Sequence, residues 1–117
     1  MQARLLRFGS IEVAGRQYDN DIVIDGGQVR KRKKKPSKSY RDQFGHTPLS
    51  ADEELPWGRD QLIIGTGAYG SLPVMPEVLE KARRRGIDLT AIPTEDACRL
   101  IASLEPEEVH AILHVTC

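Results

Sequence analysis

The sequence predicts an α/β domain with crossover connections, and three observations carry that expectation. From residue 60 onward, short apolar runs alternate with segments of helical period, in the order strand, helix, strand, helix, strand. The joints between them are short and marked by Gly and Pro, as crossover units require. The first third of the chain is β-rich, with turn residues between apolar stretches. At 117 residues the chain suits one domain with one core. It divides into a β-rich part over 1–35, a long loop over 36–59 and a βαβαβ part over 60–117.

Residues 4–13 read as a first strand, followed by a turn at Ala14-Gly15-Arg16. A second strand spans 17–25, centred on Ile22-Val23-Ile24. Asp25-Gly26-Gly27 then signals a hairpin, because glycine supplies the positive φ that tight turns need. The returning strand, about 28–34, has Val29 as its only aliphatic and suits a sheet edge, where lysines discourage pairing between molecules. Residues 37–59 are the least regular, with a short helical turn expected over 49–54, Ser50 as its N-cap, and Pro56-Trp57-Gly58 pinning the loop to the core. Gln61–Gly65 is an apolar strand, and a glycine-rich turn over 65–71 follows it. A helix over about 73–85 presents Val74, Met75, Val78, Leu79 and Ala82 on one face and ends at Gly86. A strand over 87–92 leads to a second helix, expected to be capped by Thr94, with Ala97, Leu100, Ile101 and Leu104 inward. Pro106 breaks it, and 109–116 is a last strand.

Composition excludes several classes. No run of 18 apolar residues is present, and charges interrupt the first eight residues too early for a signal peptide. Two cysteines make no disulfide framework, so a reducing, cytoplasmic setting is the default. The net charge is zero, but residues 28–41 hold eight Lys or Arg and no acid, leaving nine bases against 17 acids elsewhere. Such a segment attracts anions or the protein's own acidic face. Contact of Arg30, Arg32, Lys34 and Lys35 with phosphate, with Tyr40 or Phe44 stacking on bases, is the functional reading. A solvated stretch meeting the acidic body is preferred, and a nucleic-acid partner is not expected. A third arrangement brings this basic arm beside the glycine turn.

Gly65-Thr66-Gly67-Ala68-Tyr69-Gly70-Ser71 is the most specific motif. It follows an apolar strand, where backbone N–H groups can gather an anion. Gly65, Gly67 and Gly70 match the dinucleotide pattern in letters only. Pro73 and Pro76 delay the helix, and the next strand ends without the acid that a ribose needs. The same glycines serve equally well for a wide turn and close packing. If a ligand site is present, it is a small-anion or carboxylate site on these amides, lined by Thr66, Tyr69 and Ser71. His110 and His114 are too far apart on a strand for one metal ion, Cys98 reads as a packed thiol, and no cofactor is expected.

The chain resembles the MTH-nine-three-eight-like domains. The likeness rests on Phe8–Ile11, Tyr18–Ile24, Val29–Ser37, His46–Ser50, Leu62–Val74 and His114–Cys117, and is strongest toward the adipogenesis-associated branch. The resemblance implies a three-layer α/β fold with a mixed central sheet, crossover helices and an additional N-terminal β-hairpin layer. It implies no settled activity and transfers no catalytic residue. With no reactive constellation in view, the leading expectation is a non-enzymatic binding or adaptor protein, monomeric or weakly dimeric, with a protein partner. A small-anion or metabolite-binding domain, or a small enzyme, using the glycine turn 65–71 is the alternative, and nucleic-acid contact through the basic segment 30–41 is the second.

Overall fold

The computed structural model describes residues 1–117. Three short strands, β1 (Ala3–Arg7), β2 (Ser10–Val13) and β3 (Arg16–Tyr18), form an antiparallel sheet in that order. The single strand expected over 4–13 is therefore two. Gly9, at φ 88°, breaks it into a hairpin whose inner face buries Ile11 and Val13. The strand expected over 17–25 is also two, because Asp19-Asn20 carries the chain from one sheet to another. The Asp19 carboxylate fixes that switch by accepting from Ser10 Oγ at 2.8 Å and Gln17 Nε2 at 3.0 Å.

The second sheet has five strands in the order β5-β4-β8-β6-β7: β4 (Ile22–Asp25), β5 (Gln28–Lys31), β6 (Gln61–Gly65), β7 (Asp88–Ile92) and β8 (His110–Leu113). It is mixed. Strand β4 is antiparallel to β5 and β8, while β6 is parallel to β7 and β8. The Gly26-Gly27 hairpin and the basic edge strand stand where the sequence places them, with both glycines at positive φ. The edge strand stops at Lys31 rather than residue 34, because Arg32 turns inward.

Strand alternation divides the core in two. Ile63, Ile22, Ile24, Ala111 and Leu113 face α3 (Thr94–Ala102) and the three-stranded sheet. Leu62, Ile64, Val23 and Ile112 face α2 (Pro76–Arg84), Leu49 and Leu72. The architecture is thus three layers, with the mixed sheet in the middle. Strand β8, near the C-terminal end, lies between β4 and β6 in that sheet. No helix is long and apolar enough to cross a membrane.

Helix α2 starts at Pro76, not at residue 73. Residues 73–75 are engaged in a parallel bridge, with Leu49 N–H donating to Pro73 O at 2.8 Å and Met75 N–H donating to Leu49 O at 2.9 Å. Leu79 falls off the buried face and is half-exposed. The irregular stretch holds a 3-10 helix over Lys35–Tyr40, continued by one turn, α1 (Arg41–Phe44). Residues 49–54 form a turn, not a helix; Ser50 Oγ receives Asp52 N–H at 3.3 Å there. Trp57 packs on the α2-side core, under Lys81 and Arg85 at 5.7 and 5.3 Å from its ring.

Thr94 does not cap α3. Pro93 occupies the N-cap position, and the Thr94 hydroxyl donates to His114 O at 2.6 Å while accepting Gly67 N–H at 2.9 Å. A residue suited to capping is used to tie the glycine turn to the end of the sheet. Cys98 is buried among the α3-side side chains, and burial pushes its thiol up to about 11.

Candidate functional site

Arg32 leaves β5 with its side chain pointing into the protein, 4% exposed. Its N–H donates to Asp21 O at 2.9 Å, so two residues that follow the sheet switch and the hairpin are held side by side. The guanidinium forks onto Glu53, Nε to Oε1 at 2.8 Å and Nη2 to Oε2 at 2.7 Å. It also donates to Asp21 Oδ2 at 2.9 Å and to Pro48 O at 3.0 Å. Ser37 Oγ bonds Glu53 Oε2, and lies 2.7 Å from Ser50 Oγ. The irregular loop is thereby fastened to the sheet by a buried polar network. Burial alone disfavours the Arg32 charge, but Glu53 and Asp21 outweigh it and raise its pKa further.

Asp21 has a second set of partners. Val115 N–H donates to Oδ1 at 2.9 Å and His114 Nδ1 lies 2.8 Å from Oδ2. Burial pushes the Asp21 carboxyl up; His114, the Val115 amide and Arg32 more than offset this and hold it at about 2. An ionised carboxylate only accepts, so His114 Nδ1 is the donor of this pair, and in the neutral imidazole Nε2 is the acceptor. Thr116 Oγ1 stands 3.2 Å from that Nε2.

This depressed pKa makes stability acid-sensitive. The folded-state value lies below the unfolded one, so the contribution is complete above pH 3.8 and vanishes as the pH falls through 2. The expected loss is about 2 kcal/mol of unfolding free energy. Urea titrations between pH 7 and pH 2 measure it, and Asp21→Asn should remove this part of the pH dependence. An unchanged profile in that variant would contradict the assignment.

The glycine turn clasps residues 114–117. Ala68 N–H donates to Thr116 O at 2.7 Å, and the N–H groups of Tyr69 and Ser71 donate to Cys117 O at 3.2 and 2.9 Å. Thr66 N–H reaches Ile92 O, Gly70 N–H reaches Gly67 O and Leu72 N–H reaches Thr66 O. The peptide nitrogens that the sequence suggested for an anion are thus all engaged within the chain. Gly67 sits at φ 107°, and a Cβ there would lie 2.3 Å from the Cys117 carbonyl carbon. Only glycine lets the turn approach the tail this closely.

The basic segment and the glycine turn nevertheless meet. Lys34, Lys38 and Arg41 line a cavity of about 350 Å³ with His46, and Ser71, His114, Thr116 and Cys117 line its other side. No Asp or Glu lines it. Arg32 reaches it from below with its charge already matched by Asp21 and Glu53. Lys34, Lys38 and Arg41 are in no ion pair, so their charge is available to a ligand. Of the eight bases in 28–41, only Arg32 pairs with the acidic body; the others do not neutralise themselves on it.

The suggested site residues separate accordingly. Ser71 and Lys34 lie on the cavity, with Arg32 beneath it. Gly65, Thr66 and Gly67 are structural supports, and Gly70 turns the chain at φ 70°. Tyr69 points away, 75% exposed, with its ring 6.2 Å from that of Phe8. Arg30 Nη2 donates to Glu54 O, and Lys35 lines an adjoining groove that shares Arg32, Lys34 and Lys38 with the cavity and also carries Asp52 and Glu54. Sequence reasoning gave no site role to Asp21, His46 or Thr116. It weighed His114 only as a metal ligand with His110, whereas the two imidazoles bond different carboxylates, Asp21 and Asp25. The available signal was the Thr-x-His spacing reversed, His114-x-Thr116, which puts both side chains on one face of an extended tail.

Known proteins agree with this architecture. A family model described as "Protein of unknown function (DUF498/DUF598)" matches residues 4–114. Among solved structures, a conserved hypothetical protein, PH1505, from Pyrococcus horikoshii OT3 is 30% identical, with a TM-score of 0.76 over 100% of both chains. The structure titled MT938 is 26% identical, with a TM-score of 0.71 over 99% of this chain and 98% of that one.

Proposed function

We propose that this chain, which belongs to the DUF498/DUF598 family of proteins of unknown function, is a small-anion-binding domain whose site is the cationic cavity. The family's description gives no function, so function is argued from the cavity. One observation supports the reading above all. Lys34, Lys38 and Arg41, in no ion pair and from the basic segment, line the same hollow as Ser71 of the glycine turn, with no Asp or Glu among the lining residues. Leu72 is the main apolar surface there, so the ligand is small, polar and negative rather than greasy. A metabolite bearing a phosphate or carboxylate fits that description.

Binding of inorganic phosphate and of benzoate, followed by calorimetry and thermal melting, tests this. Ligand at about 100 times its dissociation constant should add roughly 2.7 kcal/mol to unfolding. Lys38→Ala/Arg41→Ala should remove the effect, and sodium chloride should weaken it. Equal stabilisation of wild type and variant, or by chloride at matched ionic strength, would refute a specific site. Docking of a protein partner is the second reading. It is supported by the exposed Phe8–Tyr69 pair on the outer side of the turn.

A further inference from the structure

Two residues that line the cavity, His114 and Thr116, are joined in series to a carboxylate behind it, that of Asp21. Asp21 Oδ2 lies 2.8 Å from His114 Nδ1, and His114 Nε2 lies 3.2 Å from Thr116 Oγ1. We propose that Thr116 and His114 are catalytic residues for hydrolysis of a small ester that carries an anionic group, with Asp21 as their positioning residue. The proposal rests on the anion-binding reading of the cavity and adds a reaction to it.

The order of groups is the one that nucleophilic activation requires. Asp21 fixes the imidazole and its tautomer, because both carboxylate oxygens are already committed as acceptors, to Val115 N–H, to Arg32 and to His114. In the neutral imidazole that leaves Nε2 as the bare nitrogen, next to the Thr116 hydroxyl of the cavity wall. The tail that carries both residues is held at several points, by Gly9 N–H on Val115 O, Thr94 Oγ1 on His114 O and Ala68 N–H on Thr116 O. Little freedom is left to lose when the reacting groups align. The unpaired cations that line the same cavity select the negative substrate.

In the reaction, Thr116 Oγ bonds to the ester carbonyl carbon while its proton passes to His114 Nε2. The bond from that carbon to the alcohol oxygen breaks, and the departing alkoxide takes the proton from His114. Water then attacks the acyl-Thr116 ester, giving one proton to His114 and releasing the acid as Thr116 Oγ recovers it. The step needs the neutral His114 imidazole, whose Nε2 can accept the Thr116 proton. The groups facing it are Asp21 and Arg32 below, Lys34, Lys38, Arg41 and His46 across the cavity, and Cys117 beside it.

The full chain is assayed with 4-acetoxybenzoate, and with phenyl acetate as the neutral counterpart. Turnover should favour the charged ester. Thr116→Val, which keeps the shape, and His114→Asn should each lower it about 100-fold, while Thr116→Ser restores it. Acid-quenched protein should carry acetyl on the peptide containing Thr116. Benzoate binding is measured on every variant in parallel, which also reports folding. Hydrolysis that survives in Thr116→Val, or acetyl found only on lysines, overturns the relay. Benzoate binding without turnover overturns the relay and leaves the binding reading standing; absence of both removes the two together.

Discussion

Arg32→Met should destabilise the protein by about 3–5 kcal/mol, because removing one partner of a buried ion cluster leaves the others desolvated and unmatched. Glu53 loses both arms of its fork, and Asp21 loses the cation that shares its Oδ2 with His114. Pro48 O loses a donor in the same step. A domain this size holds roughly 5–15 kcal/mol in total, so the variant stands near unfolding at ordinary temperature. Arg32→Lys should rescue little, since an ammonium cannot fork onto Glu53 and reach Asp21 together. Urea midpoints and slopes for Arg32→Met, Arg32→Lys and Arg32→Met/Glu53→Gln decide the matter. The double variant should recover part of the loss, because it removes the abandoned charge with its partner. A loss below about 1 kcal/mol for Arg32→Met would place the cluster among exposed pairs of small worth, contrary to its burial.

Gly67→Ala is expected to cost about 3 kcal/mol or more, combining a strained φ with a collision that neither side can avoid. The new methyl would lie 2.3 Å from the Cys117 carbonyl carbon and 2.7 Å from Thr116 O, and both contacts are backbone. The tail must move, and the bonds from Ala68, Tyr69 and Ser71 loosen with it. Phosphate or benzoate affinity should then fall along with stability. Gly70→Ala is the matched comparison. Gly70 also has a positive φ of 70°, but its nearest non-neighbour atom is 3.5 Å away, so only the conformational cost of about 1–2 kcal/mol applies. Thermal melts of the two variants separate close approach from backbone strain. Equal losses would mean that the tail does not depend on Gly67.

Much of the fold was legible because its signals are local. Apolar runs at 22–24 and 62–64, the Asp25-Gly26-Gly27 turn and the two helix patterns each depend on a few adjacent residues. Boundaries failed where a non-local partner decided them. Pro73 and Met75 read as helix but bond across to Leu49, and Thr94 reads as a cap but serves Gly67 and His114. The site was half legible. The basic run and the glycine turn are conspicuous in the sequence, and their charge and amides make a meeting of the two one arrangement among three. What turned the reading was the engagement of the turn's amides by residues 116–117, which no spacing rule announces. Asp21, an ordinary acid in a polar stretch, acquires its low pKa only from His114, Val115 and Arg32.

The bond between Asp21 and Val115 spans 94 positions of sequence. Contacts of such long range close late, since the loop entropy must be overcome before they contribute. No fragment or half-assembled form can contain the cavity, because it needs the hairpin edge, the irregular loop, the glycine turn and the tail at once. An anion held there is therefore linked to global opening, and hydrogen exchange should slow in the sheet interior as much as at the rim.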